Sequence, residues 1–204
     1  MKILAISGSY RKGKTIDILI DKAVEGIRQV DPSIEVEKIS LIDKNIKYCT
    51  SCMSCRNDDP DLPLAKCSIN DDMQEIYNKM LDADGYIFGT PVNCGHVTAV
   101  LKTFIERSIW IFAKPGTSPL KGCPAPRTNK KRSAMFLISA GIVPPVLRMF
   151  CDDASKLLKD YLESSFHIKI TGDIYAGAVE KRGTSYYFDQ AVKNGRKLAK
   201  SLQS

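Results

Sequence analysis

Residues 2–15 read KILAISGSYRKGKT, a short apolar run followed by a glycine-rich, basic turn. The apolar run predicts a buried strand, and the spacing of apolar residues from Thr15 to Val30 predicts an amphipathic helix after the turn. The turn therefore places hydroxyls, backbone N–H groups and positive charge at the beginning of the helix. A helix N-terminus binds anions favourably. The stretch predicts a strand, an anion-binding turn and a helix.

The alternation of strand and helix continues to the end of the chain. Further strands are predicted near residues 34–39, 85–89, 134–138 and 168–175, and further helices near 73–81, 98–112, 146–162 and 188–202. Apolar strands that alternate with helices indicate an α/β fold of three layers, a doubly wound five-stranded parallel sheet with helices on both faces. Such sheets bind ligands at the carboxyl ends of their strands, so the turns after strands one, three and four are the candidate site.

The composition predicts one cytoplasmic domain over residues 1–204. The chain is 44% apolar and 26% charged, enough for one ordinary core, and no apolar run approaches the length of a membrane span. The chain begins in a strand pattern without a secretion signal. Its 30 basic and 23 acidic residues give a net charge of +7, which favours an anionic cofactor. Because the charge is scattered, nucleic acid is not an expected partner.

The first turn is open to three interpretations. Gly8 to Thr15 literally match G-x-x-x-x-G-K-[ST], the pattern of P-loop nucleotide-binding proteins. A P-loop enzyme also needs a carboxylate for magnesium at the end of a second buried strand, and the candidate strands end in Gly-Thr-Pro and Ser-Ala-Gly instead. A P-loop phosphotransferase and a purely structural turn are alternatives to a monophosphate site, which the sequence favours.

Two motifs together resemble the NAD(P)H-dependent FMN reductase family. Residues 8–15, GSYRKGKT, resemble its phosphate loop, commonly written GSxRxxSNT or GSPRKGxNT. Residues 89–107, GTPVNCGHVTAVLKTFIER, resemble its G-[ST]-P-x-Y-x-x-S…LKxFIDR segment. The resemblance covers most of the chain and implies a flavodoxin-like fold, strand order 2-1-3-4-5, with bound FMN. Lys14 stands where the family usually has asparagine, and Asn93 where it often has tyrosine.

The resemblance implies three groups of FMN-binding residues, one in each turn. The first group would hold the phosphate, the second would line the flavin ring and the third would close the remaining side. No side chain is assigned a catalytic role, because the redox chemistry belongs to the flavin. The groups are Ser7, Ser9, Arg11, Lys14 and Thr15; Pro91, Val92, Asn93, Cys94, Gly95 and His96; and Ser139, Ala140 and Gly141.

A loop at about residues 46–70 carries four of the seven cysteines. Cys49, Cys52 and Cys55 are spaced C-x2-C-x2-C, and Cys67 follows after eleven residues. Four thiolates are the ligand count of a cubane iron–sulfur cluster. The loop resembles the cysteine motif of the iron–sulfur flavoproteins, a branch of the same family, except for the longer gap before Cys67. A 4Fe-4S cluster, a zinc ion and no metal are the alternatives, and the cluster is favoured.

These features predict a flavin-dependent oxidoreductase that takes electrons from NADH or NADPH. The alternatives are an electron-transfer flavoprotein that exchanges electrons with a ferredoxin-like protein, without NAD(P)H activity, and a P-loop phosphotransferase. The resemblance also implies a homodimer or homotetramer, to which Trp110 and Phe112 could contribute unless they belong to the core. Cys94, Cys123 and Cys151 lack companion spacing, and a cysteine of this kind is usually a small buried residue. Cys94 is the exception, because it lies in the proposed ring-binding turn, where a thiol could tune the flavin.

Overall fold

The computed structural model describes residues 1–115 and 124–203. Its main sheet is parallel and has five strands in the order 2-1-3-4-5, which confirms the expected order and the flavodoxin-like, three-layer α/β fold. The strands are β1 (Lys2–Ser7), β2 (Glu35–Ser40), β3 (Gly85–Pro91), β4 (Lys131–Ser139) and β5 (His167–Ala176). The longer helices are α1 (Thr15–Val30), α2 (Met73–Asp82), α3 (Ala99–Phe112), α4 (Ala154–Ser165) and α5 (Phe188–Leu202).

Helices cover both faces of the sheet and enclose two apolar cores. Side chains alternate between the faces of a strand, so Ile3 of β1 lies in one core and Leu4 in the other. The core that contains Ile3 lies under α1 and α5, whereas the core that contains Leu4 lies under α2, α3 and α4. Burial on both faces explains why the strands read as nearly continuous apolar runs.

The helix expected over residues 146–162 is wrong in its first part. Pro145–Phe150 form a 3-10 turn, and α4 begins only at Ala154. The carboxylate of Asp152 accepts the N–H of Ala154 at 3.0 Å, so the helix starts from this acidic residue. Arg148, in the preceding turn, donates to Asp173 of β5 at 2.6 Å. Arg148 also donates to Asp152 at 2.7 Å, so the turn is held against the residue from which α4 starts.

Three smaller expectations meet different outcomes. The loop expected over residues 113–131 contains a short antiparallel pairing of Ala113–Lys114 with Ala125–Pro126, and Cys123 lies outside the described residues. Phe112 is a core residue, whereas Trp110 is half-buried and stacks against the guanidinium of Arg56 in the cysteine loop. In residues 1–115 and 124–203, no helix is long and apolar enough to span a membrane.

Candidate cofactor site and cysteine cavity

The turns after β1, β3 and β4 lie side by side, because these three strands are neighbours in the sheet. The backbone N–H of Gly8 donates to the carbonyl of Gly89 at 2.8 Å, and the N–H of Val92 donates to the carbonyl of Ser139 at 2.7 Å. The structure therefore brings the three predicted groups of residues together at the carboxyl edge, where parallel sheets bind their ligands.

The first turn is packed closely against the start of α3. A Cβ added to Gly8 would lie 2.8 Å from the Cβ of Leu101, so a larger residue would push the turn away. The hydroxyl of Thr98 donates to the carbonyl of Gly8 at 2.6 Å, and the hydroxyl of Tyr10 accepts the N–H of Val100 at 3.3 Å. Thr98 was not singled out from the sequence, although it is the N-cap of α3.

The donors expected for a phosphate are present in the first turn. Ser7 and Ser9 are buried, and the Ser9 hydroxyl accepts the N–H of Arg11 at 3.1 Å. Lys14 is the N-cap of α1 and makes no side-chain capping bond within the described part of the chain. Arg11 and Lys14 are exposed, while Thr15 is half-buried. A basic helix N-terminus without a side-chain cap suits a phosphate, so the residues of this turn fit the phosphate of FMN.

Two further residues of this region were missed by the sequence analysis. The carboxylate of Asp17 accepts the hydroxyl of Ser7 at 2.8 Å and the N–H of Gly13 at 2.7 Å, and so connects the two ends of the turn. The hydroxyl of Thr184 lies 3.2 Å from that of Thr15. An acidic residue in the first turn of a helix is common, so the sequence offered no special signal for Asp17.

The second turn is a tight hairpin. Asn93 and His96 exchange two backbone hydrogen bonds of 2.8 and 3.0 Å, and the residues between them, Cys94 and Gly95, have φ angles of +50° and +81°. Two positive φ angles are typical of a type I′ turn, which glycine tolerates and cysteine rarely adopts. Asn93, Cys94 and His96 are exposed, so Cys94 is not the small buried residue that cysteine usually is. The Gly95 carbonyl accepts the N–H of Asp153 at 2.8 Å, which connects the hairpin to the start of α4.

The third turn is covered by a segment that the sequence analysis did not assign to the site. Ser139 and Ala140 are buried, and the N–H of Glu180 donates to the carbonyl of Gly141 at 3.1 Å. A Cβ added to Gly141 would lie 2.5 Å from Oε1 of Glu180. The short helix Val179–Arg182 therefore forms the outer wall of this turn.

The four cysteines of the loop line one cavity of about 370 Å³ beside α3. They are Cys49, Cys52, Cys55 and Cys67, and Arg107 of α3 forms part of the opposite wall. The volume lies within the range of about 300–1,000 Å³ that is typical of small-molecule sites. Among residues 1–115 and 124–203, no three cysteine, histidine, aspartate or glutamate side chains are placed to hold a single metal ion. The structure thus gathers the predicted thiols around a cavity.

Two of these thiols have shifted pKa values. Hydrogen bonds with the hydroxyls of Ser54 and Ser68, at 3.4 and 3.1 Å, lower the pKa of Cys52 to about 6. Burial raises the pKa of Cys55, and the nearby charges of Cys67 and Cys49 raise it further. The cysteines are therefore close enough to repel one another as thiolates, and a positively charged group among them would relieve that repulsion.

The fold and the three connected turns define a doubly wound α/β protein with a candidate anion-binding site at the carboxyl edge of its sheet. The model of the NADPH-dependent FMN reductase family matches residues 1–142, and the chain belongs to this family. This membership favours the flavin interpretation of the first turn over the P-loop interpretation.

Two curated relatives are iron–sulfur flavoproteins. The chain is 41% identical to one from Methanocaldococcus jannaschii over a segment of 108 residues, and this segment covers 53% of the chain and 52% of the relative. The chain is 37% identical to a second one, from Methanosarcina thermophila, over a segment of 114 residues that covers 56% of the chain and 56% of that relative. The chain thus spans about half the length of the curated relatives it matches. The solved NAD(P)H:quinone oxidoreductase from Methanothermobacter marburgensis shares the fold, with a TM-score of 0.71, 16% identity and coverage of 96% of this chain and 98% of that one.

Proposed function

We propose that this protein is an FMN-dependent oxidoreductase that uses NADH or NADPH as its electron donor. The observation that carries the proposal is the hydrogen-bonded junction of the turns after β1, β3 and β4, next to the uncapped N-terminus of α1. Membership of the NADPH-dependent FMN reductase family supports it. FMN would supply the chemistry, accepting a hydride from the reduced nicotinamide and returning electrons to an acceptor.

The residues of this chain would bind and orient the cofactor. In the first turn, the hydroxyls of Ser9 and Thr15 would donate to the phosphate, the hydroxyl of Ser7 would do so after leaving Asp17, and Arg11 and Lys14 would add positive charge at the helix N-terminus. No carboxylate for magnesium directly follows β3 or β4 in the sequence, so a monophosphate suits this turn better than a nucleoside triphosphate.

The other two turns would hold the flavin ring. The hairpin from Pro91 to His96, which includes Val92, exposes the polar groups of Asn93 and His96. These groups would face the polar edge of the ring. Residues 139–141 would close the remaining side, and the glycine at position 141 leaves room for the carboxylate of Glu180.

The first experiment is an absorption spectrum of protein purified without oxygen, followed by titration with FMN and by assays of NADH and NADPH oxidation. We expect flavin bands, equimolar FMN after titration, and rapid oxidation of a reduced nicotinamide. FMN binding without nicotinamide oxidation would favour the electron-transfer flavoprotein. A colourless protein that binds no added FMN would refute both flavin functions, and magnesium-dependent ATP hydrolysis would then establish the P-loop alternative.

We also infer that the cysteine cavity holds an iron–sulfur cluster. Four thiols line one cavity, and four thiolates are the usual ligands of a cubane cluster. Zinc, which takes four ligands around a single point, is the alternative occupant of the same thiols. A cubane distributes its ligands around about four irons, which fits thiols spread around a cavity.

Iron and sulfide analysis of the same protein tests the cluster. We expect about four irons and an equal amount of sulfide per chain, with loss of both in Cys67→Ser. Cys151→Ser is the matched control, because Cys151 lies outside the cavity and should leave the iron content unchanged. Stoichiometric zinc without sulfide, or no metal at all, would refute the cluster.

We further propose that the protein is a homodimer and that residues 142–150 form its apolar contact. Ile142, Val146, Met149 and Phe150 are 76–81% exposed, and they follow the third turn of the flavin site. Exposed apolar patches of this kind usually mark interaction sites. Sedimentation analysis should show a dimer that Phe150→Glu dissociates. A homotetramer would show that a further contact exists, and a monomeric wild type would refute both homo-oligomers; a ferredoxin-like partner would then be tested separately.

A further inference from the structure

Arg107 is a buried cation in the wall of the cysteine cavity. It lies on α3 with only 3% of its surface exposed. Its guanidinium makes a bidentate ion pair with Asp71, at 2.6 and 3.1 Å, and donates to the carbonyl of Lys47 at 2.6 Å. The same Nη2 that contacts Asp71 also donates to Sγ of Cys67 at 3.5 Å. One side chain thus connects both ends of the cysteine loop to α3.

The ion pair keeps both of its charges although it is almost dry. The side chains of Arg107 and Asp71 are 1% and 0% exposed. Burial opposes the charge of Asp71, but hydrogen bonds from Arg107 and from the N–H of Lys47 hold its pKa below the usual value. The positive end of the pair contacts the sulfur of Cys67.

The guanidinium also has an unused donor. Nε of Arg107 is buried and has no hydrogen-bond partner among the described residues. Such a donor costs free energy unless a bound group accepts from it. Sulfurs of a cluster accept hydrogen bonds of this type, and hydrogen bonds to cluster sulfurs change the reduction potential.

We propose that Arg107 positions Cys67 as the fourth ligand and raises the reduction potential of the iron–sulfur cluster. The inference rests on the cluster assigned under the proposed function. Reduction adds negative charge to the cluster, so a positive charge and N–H donors at a ligand sulfur favour the reduced form. Asp71 has the opposite effect, because its carboxylate cancels part of the field of Arg107.

Arg127 provides an internal control, because it holds the same loop without contacting a sulfur. It is buried, and its guanidinium donates to the carbonyls of Ala113, Asp59 and Cys55 at 3.0, 2.6 and 3.2 Å. Its hydrogen bonds in the described part of the chain all go to carbonyl oxygens. Arg127→Lys keeps the positive charge near Cys55 and loses the planar fork that makes these hydrogen bonds, so it should loosen the long segment before Cys67 while the charge near the sulfurs is retained.

The test is a redox titration of the cluster, followed by electron paramagnetic resonance, in the full-length holoprotein. Arg107→Met should lower the reduction potential of the cluster by about 59 mV for one electron. At a fixed applied potential, the ratio of reduced to oxidised cluster should then be about tenfold smaller. Asp71→Asn should raise the potential, because it removes the opposing carboxylate. Arg127→Lys should release iron faster to a chelator at an unchanged potential.

The opposite signs distinguish tuning from simple damage. Both Arg107→Met and Asp71→Asn break a buried ion pair and destabilise the fold, so a purely structural role would shift both potentials in the same direction or neither. Either of those results, with iron present, overturns the inference. If Arg107→Met does not fold, Arg107→Lys, which keeps the charge and loses the planar fork, should show a smaller decrease. A wild type without iron and sulfide would instead refute the proposed cluster itself.

Discussion

Thr98 connects the phosphate turn to the second turn through a single hydroxyl. The residue is fully buried, donates to the carbonyl of Gly8 at 2.6 Å, and accepts the N–H of Leu101 at 3.4 Å as the N-cap of α3. Thr98→Val keeps the shape and removes the hydroxyl. Loss of an N-cap costs about 1 kcal/mol, and an unpaired buried carbonyl costs about 1–3 kcal/mol. We therefore expect the free energy of unfolding to fall by about 2–4 kcal/mol.

Urea unfolding of the FMN-free protein, followed by circular dichroism, measures this loss at an unchanged m-value. Thr98→Ser is the matched control, because serine keeps the hydroxyl and loses one buried methyl group, about 0.8 kcal/mol. Calorimetric titration should show weaker FMN binding for Thr98→Val, about tenfold for each 1.4 kcal/mol by which the bound turn is destabilised. Equal losses for the valine and serine variants would refute the idea that the hydroxyl connects the two turns.

Gly8→Ala should weaken FMN binding more than Gly13→Ala, because an added Cβ lies 2.8 Å from the Cβ of Leu101 at the first position, whereas at the second no described atom lies within 4 Å and the cost is that of the φ angle of +64°, about 1–2 kcal/mol; equal weakening in calorimetry would contradict this. The pKa of Asp71 is lower in the folded protein than its unfolded value of 3.8, so its ionised form stabilises the fold above that pH. This stabilisation is lost as the pH falls through the folded pKa. The urea midpoint of Asp71→Asn should therefore change less with pH in acid than that of the wild type. An unchanged acid dependence would show that other carboxylates dominate. Arg148→Met should speed hydrogen exchange in the turn before α4, whereas Lys159→Met, from an exposed ion pair, should not.

The sequence predicted the elements that have long and regular apolar patterns. The bounds expected for α1 and α5 agree with Thr15–Val30 and Phe188–Leu202. The error over residues 146–162 has a physical cause, because the apolar residues of the turn are exposed rather than packed as a helix face. Arg148 of that turn bonds to Asp173, 25 residues away, and no local pattern reveals such a partner.

Some parts of the candidate site could be predicted from the sequence and others could not. The three turns could be found because a parallel sheet places the carboxyl ends of its strands at one edge. Asp17, Thr98 and Thr184 were missed, because their roles depend on partners 10, 90 and 169 residues away. The cysteine loop was located from its spacing, but the residue that contacts Cys67 was not, since Arg107 lies 40 residues further along the chain.

Helix α3 also explains how the long gap before Cys67 is compatible with one cavity. Thr98 at its start contacts the phosphate turn, and Arg107, nine residues later, contacts Cys67, so the two contacts lie about 14 Å apart along the axis at 1.5 Å per residue. The hydroxyl of Tyr77 donates to the carbonyl of Arg107 at 2.6 Å, which fixes this part of the helix against α2. The position of Cys67 is therefore fixed by its contact with Arg107 on α3, and not by the number of residues between Cys55 and Cys67. Extra residues between these cysteines can accumulate in the segment that Arg127 holds, without displacing the fourth thiol from the cavity.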